Sequence, residues 1–315
     1  MGNTPQHHRI LIIADIEGSS GCWSYRASSF LTHEWSRACL EMTRDVNAVA
    51  RALFEAGARQ VSIRDFHRTG YNLLPEYLDP RAELVQGYRA GPVPGMGDPG
   101  KTRAAVFLGM HPASGSGGFL PHTLTSRIRQ LRVNGRPMAE VELFAASLAP
   151  FGLSPIFFSG DTTACRQAAA VIPGIVTYPI DKTRGPRAVE PASWRRGLAR
   201  MAAAALYRSG ATPHFPQGPF RVSIILRDGP TAARRLARRW RLQAHGAELC
   251  FTSTDMHHLY RRLLDLFFLT PATKRLLTVS LGLSRLYGRM GLEWVRWRLR
   301  RGDTAFTPRR PGSGI

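Results

Sequence analysis

Short apolar runs alternate with segments of helical periodicity along the first half of the chain. Apolar runs of strand length occur at residues 10–14, 61–64, 83–85, 104–108 and 155–158. Between them, apolar residues recur three or four positions apart, as in the segment that ends at Gly57, and this spacing predicts helices. Strands that alternate with helices form a mostly parallel sheet with helices on its faces. We therefore predict an α/β fold of the Rossmann-like, three-layer type.

The pattern changes near Gly185 and Pro186. Helical periodicity and short strand-like runs continue beyond this point, and they predict a smaller α+β domain. After Pro271 a basic amphipathic segment runs to Arg301, and a Pro- and Gly-rich end that follows it is predicted to be disordered. The predicted units are a catalytic α/β domain at 1–186, a smaller α+β domain at 187–270 and a basic helical tail at 271–315.

The chain is strongly basic. Its 315 residues include 43 Arg or Lys and 22 Asp or Glu, which gives a net charge of +21. From Arg221 onward there are 19 basic and 6 acidic residues, so this part alone carries +13. Nucleic acid and anionic membrane surfaces are therefore candidate partners, and a solvated arginine-rich surface is the alternative. No recognisable RNA- or DNA-binding motif is present, so specific nucleic-acid recognition is not predicted.

The tail combines apolar residues, including tryptophans near one end, with eight basic residues between Lys274 and Arg301. Such a segment is typical of a helix that lies on an anionic membrane surface, which makes peripheral membrane contact one hypothesis. The alternative is a helix that packs on its own domain or on a neighbouring subunit.

Two features favour a cytoplasmic protein. The first apolar run is too short for a signal peptide, and no uninterrupted apolar stretch is long enough to cross a bilayer. The four cysteines form no CxxC pair and no regular framework, which is typical of reduced thiols.

Carboxylates and imidazoles follow three of the predicted strands at their carboxyl ends. Asp15 and Glu17 follow the first strand, His67 the second and His111 the fourth, and Glu140 begins a later helix. In an open α/β sheet, ligands bind at the carboxyl ends of the strands. Read singly, each residue has an ordinary interpretation, such as a solvated loop or, for Glu140, a favourable charge at a helix N-terminus. Their occurrence together predicts a metal site.

The chemistry of these residues favours particular metals. Carboxylates together with two imidazoles suit zinc, manganese or cobalt better than calcium or magnesium. Five ligands exceed one tetrahedral ion, so we expect two ions about 3.5–4 Å apart that share a carboxylate. Such a pair polarises a carbonyl and lowers the pKa of bound water. His122, which follows a Gly- and Ser-rich loop, is the candidate for proton transfer.

Five segments carry a resemblance to a known family. The chain resembles the zinc D-aminopeptidases of the DppA type, and weaker similarity continues to about residue 269. The matching segments are 14–18 (ADIEG), 64–67 (RDFH), 107–111 (FLGMH), 121–123 (PHT) and 134–140 (NGRPMAE).

The resemblance implies a specific site and assembly. It implies two zinc ions per subunit, with ligands Asp15, Glu17, His67, His111 and Glu140, of which Asp15 bridges the ions. It also implies that His122 acts as nucleophile or base, and that the subunits form a decamer of two pentameric rings with the active sites facing an inner cavity.

The chain departs from the family pattern at three places. Ile13 stands where the family has serine, Phe144 stands where it has an amide, and the tail from Thr270 onward has no counterpart. Because Phe144 follows Glu140 by one helical turn, this difference bears on what lines the site and on D-stereospecificity.

We therefore predict a metal-dependent aminopeptidase that removes the N-terminal residue, of D-configuration by resemblance, from short peptides. Two alternatives are a metal-dependent amide hydrolase of other specificity and a basic membrane- or nucleic-acid-associated module with a degenerate hydrolase core.

Overall fold

The computed structural model describes residues 5–302. The predicted disordered end of the tail lies outside these residues. Within them the chain forms two sheets, one parallel and one antiparallel. The α/β fold predicted from the hydrophobic pattern is confirmed.

The main sheet has six strands, all paired in parallel, in the order β3-β2-β1-β4-β7-β8. The chain therefore begins in the middle of the sheet, and β2 and β4 lie on either side of β1. The strands are β1 (Arg9–Ala14), β2 (Gln60–Asp65), β3 (Glu83–Val85), β4 (Ala104–Met110), β7 (Ser154–Asp161) and β8 (Val176–Ile180).

The apolar run of β1 is continuous because both faces of the sheet are covered. Ile10 and Ile12 face one hydrophobic core, and Leu11 and Ile13 face the other. This is the burial expected of a parallel strand with packing on both sides. The sequence therefore reads as an unbroken apolar run instead of an alternating one.

Helices cover the main sheet on both sides and complete three layers. On one side α1, α4 and the C-terminal helix α8 (Leu277–Arg300) contribute to a single core, and α2, α3, α5 and α6 contribute to the other. The predicted helix end at Gly57 is confirmed, since α1 stops at Glu55 and Gly57 has a φ of +100°. The helices of the first two units are α1 (His33–Glu55), α2 (Glu140–Leu148), α3 (Thr162–Val171), α4 (Pro191–Ala205), α5 (Gly229–Trp240) and α6 (Met256–Phe268).

The second sheet is antiparallel, with the order β10-β11-β9-β5-β6. Its strands come from both sides of residue 186, because the hairpin of β5 and β6 pairs with β9. The division of the chain into domains at residues 186 and 270 therefore stays a prediction. The strands are β5 (Ile128–Val133), β6 (Arg136–Pro137), β9 (Phe220–Leu226), β10 (Gln243–His245) and β11 (Glu248–Ser253).

The predicted tail is helical and packs on its own chain. It forms a short helix, α7 (Pro271–Arg275), and a long one, α8 (Leu277–Arg300). Trp294 of α8 stacks on Trp35 of α1 with 5.9 Å between ring centroids, and Arg296 donates to both oxygens of Glu76 at 3.0 and 2.8 Å. Within residues 5–302, no helix is both long enough and apolar enough to cross a membrane.

Candidate metal centre

The three adjacent strands β2, β1 and β4 bring the predicted ligands to one edge of the sheet. Ala14, the last residue of β1, is paired with Asp65 of β2 and with Leu108 of β4. The chain segments that leave these strands therefore start side by side, and their side chains meet beyond the sheet. All five predicted ligands are buried, with relative exposures of 3–7%.

Asp15 lies between the two histidines. One carboxylate oxygen, Oδ1, is 2.9 Å from His67 Nδ1, and the other, Oδ2, is 3.4 Å from His111 Nε2. Glu17 lies on the His67 side, with Oε2 3.1 Å from His67 Nδ1. Glu140 lies on the His111 side, with Oε1 3.2 Å from His111 Nε2. The arrangement has two halves that share one carboxylate.

Carbonyl groups orient both imidazole rings. A carbonyl oxygen only accepts hydrogen bonds, so the ring nitrogen beside it carries the proton and the other nitrogen of a neutral ring is an acceptor. His67 Nε2 donates to the Ser28 carbonyl at 2.8 Å, which leaves Nδ1 facing the carboxylates. His111 Nδ1 lies 3.1 Å from the Pro112 carbonyl, which leaves Nε2 facing them. When its ring is neutral, as metal binding requires, each histidine therefore presents one nitrogen lone pair to the site.

A hydrogen-bonded network holds the loop that carries His67. The carboxylate of Asp65 accepts from the backbone of Asn72 and Leu73 and from the Asn72 amide. The Asn72 amide also donates to the His67 carbonyl at 2.7 Å, and its oxygen accepts from the Trp35 indole at 2.9 Å. Such partners behind a ligand fix its orientation.

His122 joins the same cluster. Its ring stacks on His111, with 3.6 Å between centroids and 14° between planes. His122 Nδ1 donates to the Leu120 carbonyl at 2.9 Å, so Nε2 is the acceptor nitrogen. His111, His122 and Glu140 each offer one ligand atom within 4.8 Å of the others, and so do Asp15, Glu17 and His111. The structure therefore brings together all six residues singled out from the sequence.

Electrostatic coupling is strong because the charges are buried. Burial and the charge of Glu17 raise the pKa of Asp15 to about 7. Burial alone would lower the pKa of His111, but Glu140 and Asp15 raise it to about 10, and Glu17 and Asp15 likewise raise the pKa of His67 well above its usual value. Without an ion, protonated imidazoles thus compensate the carboxylates. Metal binding requires neutral imidazoles, so a divalent cation would displace these protons. The cation would then balance the negative charge of the carboxylates in their place.

His122 differs from the other two histidines. Burial, and then the positive charge of His111, lower the pKa of His122. A neutral ring at pH 7 can accept a proton, which is the property that a general base needs.

Two glycines allow the loops to approach each other closely. Gly109 has a φ of +71°, and a Cβ there would overlap the Asp15 carbonyl oxygen. A Cβ on Gly18 would overlap the Met110 carbonyl oxygen. Glycine at both positions therefore lets the Asp15–Glu17 segment lie against the end of β4.

Lys182 is a buried contributor that motif analysis did not identify. It follows β8, is 8% exposed, and donates to the carbonyls of Ser19 and Cys22 at 2.5 and 2.6 Å. Its ammonium also lies 4.1 Å from the Trp23 ring centroid and 5.3 Å from that of Phe119. Lys182 thereby ties the loop after Glu17 to the loop that leads to His122. The one signal in the sequence is that lysine is rare here, with three in the whole chain.

Phe144 lies within an aromatic cluster beside the site. It is completely buried on α2, one turn after Glu140, with ring centroids 4.8 Å from Phe66 and 5.8 Å from Tyr260. The Tyr88 hydroxyl donates to the Phe66 carbonyl at 3.2 Å. At the position that departs from the family pattern, an apolar side chain therefore packs against other aromatic rings.

Comparisons with known proteins identify the family and the fold. The sequence profile of the peptidase M55 family, described as D-aminopeptidase, matches residues 8–264. A D-aminopeptidase of Bacillus subtilis (strain 168) is 29% identical over 203 residues, which are 63% of this chain and 73% of that protein. The solved structure of the Zn-dependent D-aminopeptidase DppA from Bacillus subtilis, described as a self-compartmentalizing protease, shares the fold with a TM-score of 0.72 at 24% identity, covering 82% of this chain and 96% of that one. The predicted resemblance is confirmed, and the chain belongs to the M55 family of D-aminopeptidases.

Proposed function

We propose that this protein is a zinc-dependent aminopeptidase that hydrolyses the N-terminal residue, of D-configuration, from short peptides at a dinuclear site. The observation that carries the proposal is the position of Asp15, whose two oxygens face histidines that follow two different strands. A carboxylate in that position is suited to bridge two ions.

The donor set fits such ions. Glu17 Oε2 and His111 Nε2 are buried, and among residues 5–302 neither atom makes a hydrogen bond of suitable geometry, although charged groups of the site lie 3.1–3.4 Å from them. Buried polar atoms normally have hydrogen-bond partners, so two buried atoms that lack one and face the same space are consistent with a binding site for a cation. Asp15, Glu17, His67, His111 and Glu140 would hold the zinc pair, and manganese and cobalt accept the same donors. When bound, the ions would polarise the scissile carbonyl and lower the pKa of water toward about 7.

His122 is proposed as the residue that moves protons. Its Nε2 is an acceptor because Nδ1 donates to the Leu120 carbonyl, and its lowered pKa keeps the ring neutral. The stacking of His122 on His111 holds the ring beside the proposed ligands. The ring can act as a base toward an attacking water or as the nucleophile itself.

The substrate class follows from the family. The free amine or the scissile carbonyl of the substrate would be held at one of the proposed ions, which would place the amino end of a peptide at the centre. The D-configuration is proposed from membership of the D-aminopeptidase family. Hydrolysis of a different amide bond by the same centre is the alternative. The convergence of all six side chains supports an active enzyme over a degenerate core.

For the assembly, we propose a homo-oligomer, a decamer of two pentameric rings. Support comes from the description of the Bacillus subtilis structure as self-compartmentalizing. A cytoplasmic location is proposed because all four cysteines are free thiols.

The test is a substrate screen combined with metal analysis of the purified protein. Matched peptides that differ only in the configuration of the N-terminal residue should be hydrolysed with a preference for D, and the rate should follow zinc content. Equal hydrolysis of the two configurations would contradict the proposed specificity, and cleavage restricted to other amides would support the alternative.

A further inference from the structure

Helix α8 has two faces of different character. The residues of its packed face are Gly288, Gly291, Leu292 and Val295, all of them buried. A Cβ on Gly288 would overlap the Tyr71 ring, and one on Gly291 would overlap the Phe30 ring. Glycine at these two positions therefore lets α8 lie directly against the domain.

The other face of α8 is apolar and exposed. Seven large apolar side chains on or beside the helix are 40–64% exposed. At 3.6 residues per turn, five of them fall within about 60° of one another, on the side opposite the packed face. We call this set the apolar stripe, and its members are Leu276, Val279, Leu283, Leu286, Tyr287, Met290 and Trp297. A contiguous apolar surface of this kind marks an interaction site.

Positive charge lies along one edge of the apolar stripe and at its C-terminal end. Residues 271–302 contain eight arginine or lysine residues and a single acidic residue, Glu293. Arg289 and Arg300 are exposed and, by the same helical spacing, lie along one edge of the stripe. Arg301 follows the end of the stripe, with its guanidinium 4.4 Å from the Trp297 ring centroid. The surface is therefore apolar along its centre and cationic along one edge and at its C-terminal end, where Glu293, the one acidic residue, is paired with Arg296.

We propose that the apolar stripe docks onto an anionic lipid bilayer, with α8 lying in the plane of the membrane surface. An interfacial helix buries its apolar face at the headgroup boundary and places basic residues at its edge, where they meet anionic headgroups. Arginine side chains suit this border because their apolar stems lie along the acyl region while the guanidinium groups stay in the headgroups.

Charge complementarity selects this partner over two others. Two copies of the stripe brought face to face would place arginine borders together, whereas an anionic bilayer neutralises them. A nucleic acid would pair with the arginines but would leave the apolar centre of the stripe uncovered. The stripe is also preformed, because Trp294 and Arg296 fix α8 to the domain through Trp35 and Glu76. The family match ends at residue 264, so this surface is additional to the matched region.

The experiment is sedimentation of the full-length protein with vesicles, either of equal parts phosphatidylglycerol and phosphatidylcholine or of phosphatidylcholine alone. The intact protein should bind the anionic vesicles and bind the neutral ones much more weakly. The double variant Leu283→Ser, Met290→Ser should lose most of this binding, while Phe215→Ser, a matched change at a side chain that is 57% exposed elsewhere, should keep it. The charge variant Arg289→Glu, Arg300→Glu should weaken binding by at least about tenfold, and the matched pair Arg238→Glu, Arg239→Glu on α5 should have a smaller effect.

Peptide hydrolysis in solution and sedimentation velocity accompany each variant. Unchanged hydrolysis and unchanged oligomer size alongside lost vesicle binding would support the proposal. Failure of the intact protein to bind anionic vesicles would overturn it. If the serine variant changed the oligomer size, the stripe would be an interface between subunits, which would also overturn it. Equal loss of binding in both charge variants would contradict docking through α8, because the net positive charge of the whole protein would then explain the binding.

Discussion

At the carboxyl edge of the parallel sheet, five carboxylate and imidazole side chains are almost completely buried, whereas helix α8 leaves seven large apolar side chains at 40–64% exposure. Buried charges and exposed apolar surfaces are both unfavourable unless something compensates them. In the metal centre the charges partly compensate one another, and Glu17 Oε2 and His111 Nε2, which are buried without a hydrogen bond of suitable geometry, fit a site for a cation. On α8 the exposed apolar side chains would be compensated by contact with a lipid surface, as proposed above.

The difference shows how each region obtains its stability. The metal centre is held by hydrogen bonds from several elements, such as those of Asn72 and Lys182. Helix α8 is held by close packing of glycines on aromatic rings. Changes in the centre should therefore alter chemistry and metal content, and changes in the packed face of α8 should alter stability.

The largest effect is expected from His111→Ala. The variant should lose bound metal and all measurable hydrolysis while retaining its fold, because His111 follows strand β4 and its Nε2 faces the carboxylates of Asp15 and Glu140. Metal stoichiometry by mass spectrometry, activity and circular dichroism would be compared with those of His245→Ala, an exposed histidine on β10. Unchanged metal content in His111→Ala would remove this residue from the ligand set.

His122→Ala should separate chemistry from metal binding. The variant should keep its metal and lose about 10²- to 10⁴-fold in turnover, the usual contribution of a general acid or base. Steady-state kinetics on zinc-loaded protein measure this directly. Near-normal turnover would exclude His122 from the mechanism, and loss of metal would reassign it as a ligand.

A pair of glycine variants tests the packing of α8. Gly291→Ala should destabilise the protein by about 1–3 kcal/mol, because the added methyl group overlaps the Phe30 ring. Gly282→Ala in the same helix meets no atom within 4 Å, so it should stabilise by about 0.5–1 kcal/mol through helix propensity. Urea unfolding gives both values. If the two variants behaved alike, α8 would not be docked as described.

A pH-dependent effect is expected from Lys182. Burial lowers its pKa from 10.5 to about 8, so folding disfavours the charged form. This penalty is fully present below pH 8 and is relieved as the pH rises from 8 to 10.5, where the buried group is neutral and the unfolded one still binds a proton. The unfolding free energy of the wild type should therefore rise relative to that of Lys182→Met across this window. Lys101→Met, at an exposed position, is the matched control, and a parallel pH dependence in wild type and Lys182→Met would contradict the assignment.

The meeting of four of the six candidate residues is predictable from the sequence because parallel strands deliver their carboxyl ends to one edge, whereas the roles of Glu140 and His122 depend on the family resemblance as well. Asp15, Glu17, His67 and His111 each stand within three residues of a strand end, so local pattern and topology together predict their meeting. The helix that begins at Glu140 was also found from its periodicity.

Long-range contacts were not predictable in the same way. The pairing of the β5–β6 hairpin with β9 joins segments about ninety residues apart, and no local pattern encodes such a partner. Strand β8 contains Pro179, and proline weakens a strand signal. The role of Lys182 depends on carbonyls that lie about 160 residues earlier in the chain, and the exposure of one face of α8 depends on how the other face packs.

Anomalous diffraction at the zinc edge from crystals of the zinc-loaded protein tests the central claim most directly. We expect two anomalous peaks per subunit, about 3.5–4 Å apart, with Asp15 between them, His67 and Glu17 beside one peak, and His111 and Glu140 beside the other. A single peak, or two peaks without Asp15 between them, would contradict the dinuclear centre.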